Sequence, residues 1–168
     1  PALGVGAGNV VSIVDETADI TDAAAKIAAS KTFDNATSCS SENAVIAVDA
    51  VYDKLVVALA AEGGYCLDAA QMAHLEGIHW HNGKLTSKLL AKDIDVVLAE
   101  TGFAGTAPDN TSFLVAPQDE FGSDHPMTGE KMSRFLALHR AGDFDAAMHK
   151  AIAIQDVMGA GHSLGLHS

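Results

Sequence analysis

A chain of 168 residues with 48% apolar and 19% charged side chains can bury a proper core, which excludes general disorder. Twenty-two acids against ten bases leave a formal charge of −12, and the bases form no run, which argues against nucleic acid as a partner. No apolar stretch nears the ~20 residues that span a bilayer, no basic-then-apolar leader opens the chain, and two cysteines form no disulfide framework, so a cytoplasmic protein with free thiols and no membrane partner is expected.

The β-branched run Val10 to Val14 predicts a strand, and Thr21 is placed to cap an alanine-rich helix reaching about Ser30. Ala44 to Val48 predicts a second strand. Tyr52 to Glu62 carries apolar residues at helical spacing and stops at Gly63-Gly64, and Leu67 to Gly77 predicts another helix. A polar stretch with His79, Trp80 and His81 follows, then a Lys/Leu segment and the apolar run Ile94 to Leu98. Ser112 to Val115 and Phe135 to Leu138 read as short strands joined by a loop from Pro117 to Lys131. A connector that long is usually functional, which directs attention to His125, Glu130 and Lys131. Asp143 caps the clearest helix, which runs to Met158 and ends at Gly159 or Gly161. Strands alternating with helices predict a three-layer α/β/α domain with a largely parallel sheet. The chain opens at Pro1 without a methionine and stops just after the strand-like stretch Leu164 to His167, as if both cuts fell inside a larger architecture. The expectation is one excised domain, residues 1–168.

The most informative segment is FDNATSCSSE, Phe33 to Glu42. A buried structural thiol has aliphatic neighbours, whereas Thr37, Ser38, Ser40 and Ser41 describe a polar, accessible turn around Cys39. On residue type alone, a catalytic and a structural Cys39 stay equally open. Cys66, between Tyr65 and Leu67 at the start of the predicted helix, reads as core. His74, His79 and His81 invite a zinc site, but no HExxH or CxxC pattern accompanies them, so no metal is expected. Gly4, Gly6 and Gly8 follow no strand and lack dinucleotide spacing, so they read as a close-packed loop.

The segment FDNATSCSSENAVI resembles the active-site segment of acylating aldehyde dehydrogenases, in which Phe-Asp-Asn, three variable residues and Cys precede a residue pair and Glu. HPMTGEKMSRFLALHRAGDFDAA (His125 to Ala147), GAGHSLGLHS (Gly159 to Ser168) and GVGAGNVVSIVDETADI (Gly4 to Ile20) are similar to further stretches of that family, in order. The resemblance implies an aldehyde dehydrogenase catalytic domain with Cys39 as nucleophile, without the domain that binds most of the NAD or NADP. It further implies that Glu130 accepts hydrogen bonds from the nicotinamide ribose, and that His162 deprotonates the coenzyme A thiol or positions its counterpart. Without the resemblance, Glu130 reads as a solvated loop acid, and His162 equally well as a histidine interacting with a helix C-terminus.

Hydrolytic members keep a water-activating glutamate in the segment equivalent to Gly4 to Val10, where this chain has only Gly, Ala, Val and Asn, which favours acyl transfer to a thiol. Coenzyme A is therefore the implied co-substrate, and a homo-oligomer the implied assembly of the intact enzyme. The hydroxyls flanking Cys39 suit a small polar aldehyde, and the segment resembles that of sulfoacetaldehyde and succinate-semialdehyde acylating members, with sulfoacetaldehyde the leading substrate. The rival expectation is a non-catalytic remnant or assembly module with an inert thiol.

Overall fold

The computed structural model describes residues 7–159 and 162–168. Its elements are β1 (Val11–Val14), α1 (Ile20–Thr32), β2 (Ala44–Val48), α2 (Asp49–Ala61), β3 (Gly64–Cys66), α3 (Ala69–His79), β4 (Trp80–His81), β5 (Lys84–Leu85), α4 (Ile94–Thr101), β6 (Phe113–Gln118), β7 (Phe135–Ala141), α5 (Phe144–Asp156) and β8 (Leu164–His167). Six strands form one sheet in the order β3-β6-β7-β2-β1-β8, and every pairing in it is parallel. β4 and β5 form a separate antiparallel hairpin.

Every residue of β1 (VSIV) and β2 (AVIAV) is buried, and all but Ser12 are apolar, the near-continuous apolar pattern of parallel strands covered on both faces. Neighbouring residues of β7 show the two covering layers. Arg140 turns toward α2, where it bonds Asp53 and stacks on Tyr52. His139 turns the other way, edge-on to Phe121, over which Lys150 of α5 sits. α1 and α2 pack Ile27, Leu55 and Leu59 against the sheet, and α3 and α4 pack Leu75 and Val97 against Leu114, Ala116 and Phe135. The fold is thus the predicted three-layer α/β/α arrangement.

Several boundaries differ from the sequence reading for local reasons. The cap of α1 is Asp19 and not Thr21: the Asp19 carboxylate accepts from the Thr21 and Asp22 amides, satisfying two first-turn donors at once. Asp143 caps α5 as expected, accepting from Ala146 N–H. Tyr65 and Cys66 belong to a strand, and α3 begins only after the capping box of Asp68 and Gln71. Cys66 is consequently not core. It ends the short outer strand β3 and is exposed, although partial desolvation pushes its thiol pKa up. His79 is buried, its Nε2 2.8 Å from Lys131 O and its ring edge-on to Trp80 and Phe135. Burial lowers its pKa to about 4. The loop after β6 is organised by a 3-10 turn, Pro126–Thr128, which buries Met127 and Thr128. Gly4, Gly6 and Gly161 lie outside the described residues.

Candidate active site

In a parallel sheet the segments that precede adjacent strands gather at one edge. Here the residues ahead of four adjacent strands do so: Lys131 to Arg134 before β7, Glu42 and Asn43 before β2, Gly8 to Val10 before β1, and His162 and Ser163 before β8. Cys39, Glu130 and His162, the three residues to which the family resemblance gives roles, therefore sit along the amino-terminal edge.

Cys39 lies in the connection from α1 to β2. Asp34, Asn35 and Ala36 have φ of +46°, +53° and +59°, three successive non-glycine residues in the left-handed region. Each such residue costs roughly 1–2 kcal/mol and persists only where the surroundings hold it. Thr37 Oγ1 donates to Asp34 through its backbone oxygen at 2.8 Å and its carboxylate at 2.7 Å. Asn35 Oδ1 accepts from Arg134 Nε at 2.6 Å, and Asn35 Nδ2 donates to Asp93 at 2.9 Å. Ser38 and Ser40 hydroxyls bond one another at 2.9 Å, and Cys39 stands exposed between them. The sulfur is thus in a hydroxyl-lined surface turn rather than in aliphatic packing.

Gly8 explains how closely His162 approaches this turn. A Cβ built on Gly8 would lie 3.0 Å from His162 Nε2 and 3.3 Å from the Cys39 carbonyl oxygen. The imidazole and the Cys39 backbone are therefore no farther apart than those two distances laid end to end, with only a glycine between them. Ser163 N–H donates to His162 Nδ1 at 2.9 Å, so the neutral ring carries its proton on Nε2, the atom facing Gly8. Asn9, beside Gly8, anchors the segment by donating to Thr128 O and Ile154 O, both at 2.9 Å.

Glu130 and His125 line a cavity of about 270 Å³ whose apolar walls include Trp80, Leu85, Val157 and Met158. Ala7, next to Gly8, lines the same cavity, which brings it beside the Cys39–His162 pair, although neither of those residues is part of its lining. Lys131, also singled out from sequence, is not a cavity group. It is fully buried behind Glu130, with Nζ donating to Asn43 O (2.9 Å) and Gly129 O (3.0 Å). Burial holds its pKa well below the usual lysine range. Lys31, which the sequence did not mark, is also buried and donates to Glu42 O at 2.9 Å, its pKa lowered by burial to about 7. Nothing in the pattern of an alanine-rich helix betrays that burial. Gly8 was visible only as one of three glycines. Among the described residues, no group of three metal-ligating side chains assembles, and no helix is long and apolar enough to cross a membrane.

The chain resembles known proteins along its whole length. The chain is 46% identical, over all 168 residues, to a sulfoacetaldehyde dehydrogenase (acylating) of Cupriavidus necator, of which it spans 34%. It superposes on an acetylating aldehyde dehydrogenase from Geobacillus thermoglucosidasius with a TM-score of 0.93 and 34% identity, covering the whole of this chain and 37% of that one. A propionaldehyde dehydrogenase of Rhodopseudomonas palustris, solved with bound propionyl-CoA, matches 98% of this chain and 36% of its own, with a TM-score of 0.86 and 29% identity. No family model matches. The chain thus spans about a third of the length of these relatives. From end to end it is a homologue of the acylating aldehyde dehydrogenases, oxidoreductases that share its parallel α/β fold.

Proposed function

We propose that this chain is the thiol-bearing catalytic domain of an NAD(P)-dependent, coenzyme A-acylating aldehyde dehydrogenase, with Cys39 as nucleophile and a small polar aldehyde, sulfoacetaldehyde foremost, as substrate. The observation that carries the reading is the exposed Cys39 sulfur in a hydroxyl-lined turn, with His162 brought against the same turn by Gly8. A structural thiol would need neither. The 46% identity to a named sulfoacetaldehyde dehydrogenase supports the choice of substrate.

The Cys39 thiolate adds to the aldehyde carbon and gives a thiohemiacetal, whose oxygen takes a hydrogen bond from the local backbone N–H. When bound, the nicotinamide cofactor supplies a hydride acceptor. Loss of hydride leaves a thioester on Cys39, which a second thiol, that of coenzyme A, displaces. Sulfur suits both halves, since it adds readily and leaves readily. His162 presents Nε2–H toward the turn, which suits a donor to the acyl oxygen or departing sulfur better than a base. Residues 7–10 offer no carboxylate to activate water, which favours transfer over hydrolysis. The cavity beside Glu130 fits a nicotinamide riboside in kind: apolar walls for a flat ring and one carboxylate acceptor for ribose hydroxyls. Glu130 would hold that ribose, while most of the cofactor would be held by a domain outside these residues. A cytoplasmic homo-oligomer is the expected setting.

Two measurements test this. The intact enzyme should show a higher kcat/KM for sulfoacetaldehyde than for acetaldehyde, and equal values discard the substrate. Iodoacetamide at neutral pH should label Cys39 well before Cys66, and equal slow labelling of both leaves only a structural domain.

A further inference from the structure

The nucleophile's turn is gripped at both ends by a single short segment, and no step of the proposed reaction uses that grip. Asn35 lies four residues before Cys39 and Asn43 four residues after it. Arg134 Nε reaches the first, donating to Asn35 Oδ1 at 2.6 Å. Lys131 takes the second through two bonds: its backbone N–H donates to Asn43 Oδ1 at 2.9 Å, and its Nζ to Asn43 O at 2.9 Å while also holding Gly129 O at 3.0 Å. Both asparagines are thus held by Lys131 to Arg134, the segment that follows directly on Glu130. The grip is reinforced from outside, since Asn35 Nδ2 also bonds Asp93 at 2.9 Å and Met132 O accepts from Ala91 N–H at 2.9 Å. Among the described residues no carboxylate lies within 4.0 Å of the Arg134 guanidinium, so its closest bond is to Asn35. Three consecutive left-handed residues begin at that end of the turn, where a strained backbone most needs an external hold.

We propose that Arg134 and Lys131 are positioning residues that clamp the Cys39 turn at Asn35 and Asn43 and so fix the thiol relative to Glu130. The inference rests on the reading of Cys39 as the nucleophile and adds the device that holds it.

The test uses the full chain with Cys66→Ser and a trifluoroacetone tag on Cys39, read by fluorine NMR. A clamped turn gives a broad line that follows tumbling of the whole molecule. Arg134→Met should narrow it at least about twofold at an unchanged melting temperature, and Arg134→Lys, which can still donate to Asn35, should return most of the width. Should Arg134→Met fail to fold, Asn35→Gly replaces it, because glycine accepts the positive φ and removes only the side-chain bridge. An unchanged line in the variant that folds overturns the clamp. Untagged wild-type chain separates the two claims. Fast alkylation of Cys39 with an unchanged line sinks the clamp alone, whereas slow alkylation with a narrowed line sinks the nucleophile reading and leaves the clamp standing.

Discussion

The two cysteines sit at opposite edges of one sheet, and both are exposed. Cys66 ends the outer strand β3 at the carboxyl edge, where desolvation pushes its thiol pKa up and disfavours the reactive thiolate. Cys39 occupies the amino edge in a left-handed turn lined with hydroxyls and held by Arg134 and Lys131. Exposure alone therefore does not tell the two thiols apart; what differs is the architecture that holds one and not the other. In open α/β sheets ligands usually bind at the carboxyl ends of the strands. Strained backbone, buried lysines and a cavity gather instead at the other edge, where the proposed site lies.

The sharpest way to break the comparison is to exchange the two thiols. Cys39→Ser in the intact enzyme should lower acyl transfer by at least about a thousandfold, while Cys66→Ser stays within about twofold. Comparable losses from both would remove the distinction between the edges, as steady-state kinetics would show.

Acid comes next, because each half of the sheet hides a neutral histidine. His139 has its pKa lowered by burial to about 3 and His79 to about 4, against 6.5 for an unburied ring. The unfolded chain takes up a proton near pH 6.5 that the folded chain refuses. Stability therefore falls as pH drops below 6.5, by roughly 3 kcal/mol per histidine at pH 4. Chemical denaturation across that range should show the slope, and His139→Leu should remove about half of it without altering Cys39 alkylation. His79→Leu should alter both, since His79 bonds the Lys131 carbonyl at the amino edge. If the two variants behave alike, the amino edge is not singled out.

The smallest effect comes from single methyl groups. Gly8→Ala places a carbon 3.0 Å from His162 Nε2 and 3.3 Å from Cys39 O, and should slow turnover about tenfold with little change in melting temperature. Gly64→Ala meets Leu59 O at 2.8 Å and Phe113 at 2.9 Å beside Cys66, and should cost roughly 1–3 kcal/mol of stability while leaving alkylation of Cys39 alone. Calorimetry and alkylation rates on the same pair of variants separate the two outcomes.

Where apolar periodicity and caps coincide, the sequence was easy to read. Ala44–Val48 matches its predicted bounds, β1 and α5 fall within a residue or two of theirs, and Asp143 caps as expected. β3 escaped notice because three residues ending at Cys66 carry no alternation to read, and Leu67, which follows them, looked like helix. Lys131 looked like a loop cation because sequence gives no sign that a lysine will be sealed under its own loop and satisfied by backbone carbonyls. The polar setting of Cys39 was visible in its hydroxyl neighbours, which by themselves left its role open. The tethers were not, since Asn35 and Arg134 are 99 positions apart and meet only once the sheet is assembled.

The outermost rung of the sheet has a practical consequence. Among the described residues β8 pairs with β1 on one side only and leaves Leu164 and Leu166, 41% and 51% exposed, beside a row of unpaired peptide groups. An uncovered strand edge of this kind is a place where separate copies can add strand to strand. Twelve surplus negative charges keep such copies apart in dilute buffer, and added electrolyte shortens the reach of that repulsion. Clumping should therefore begin on salting up, and a lysine in place of Leu166 should delay it.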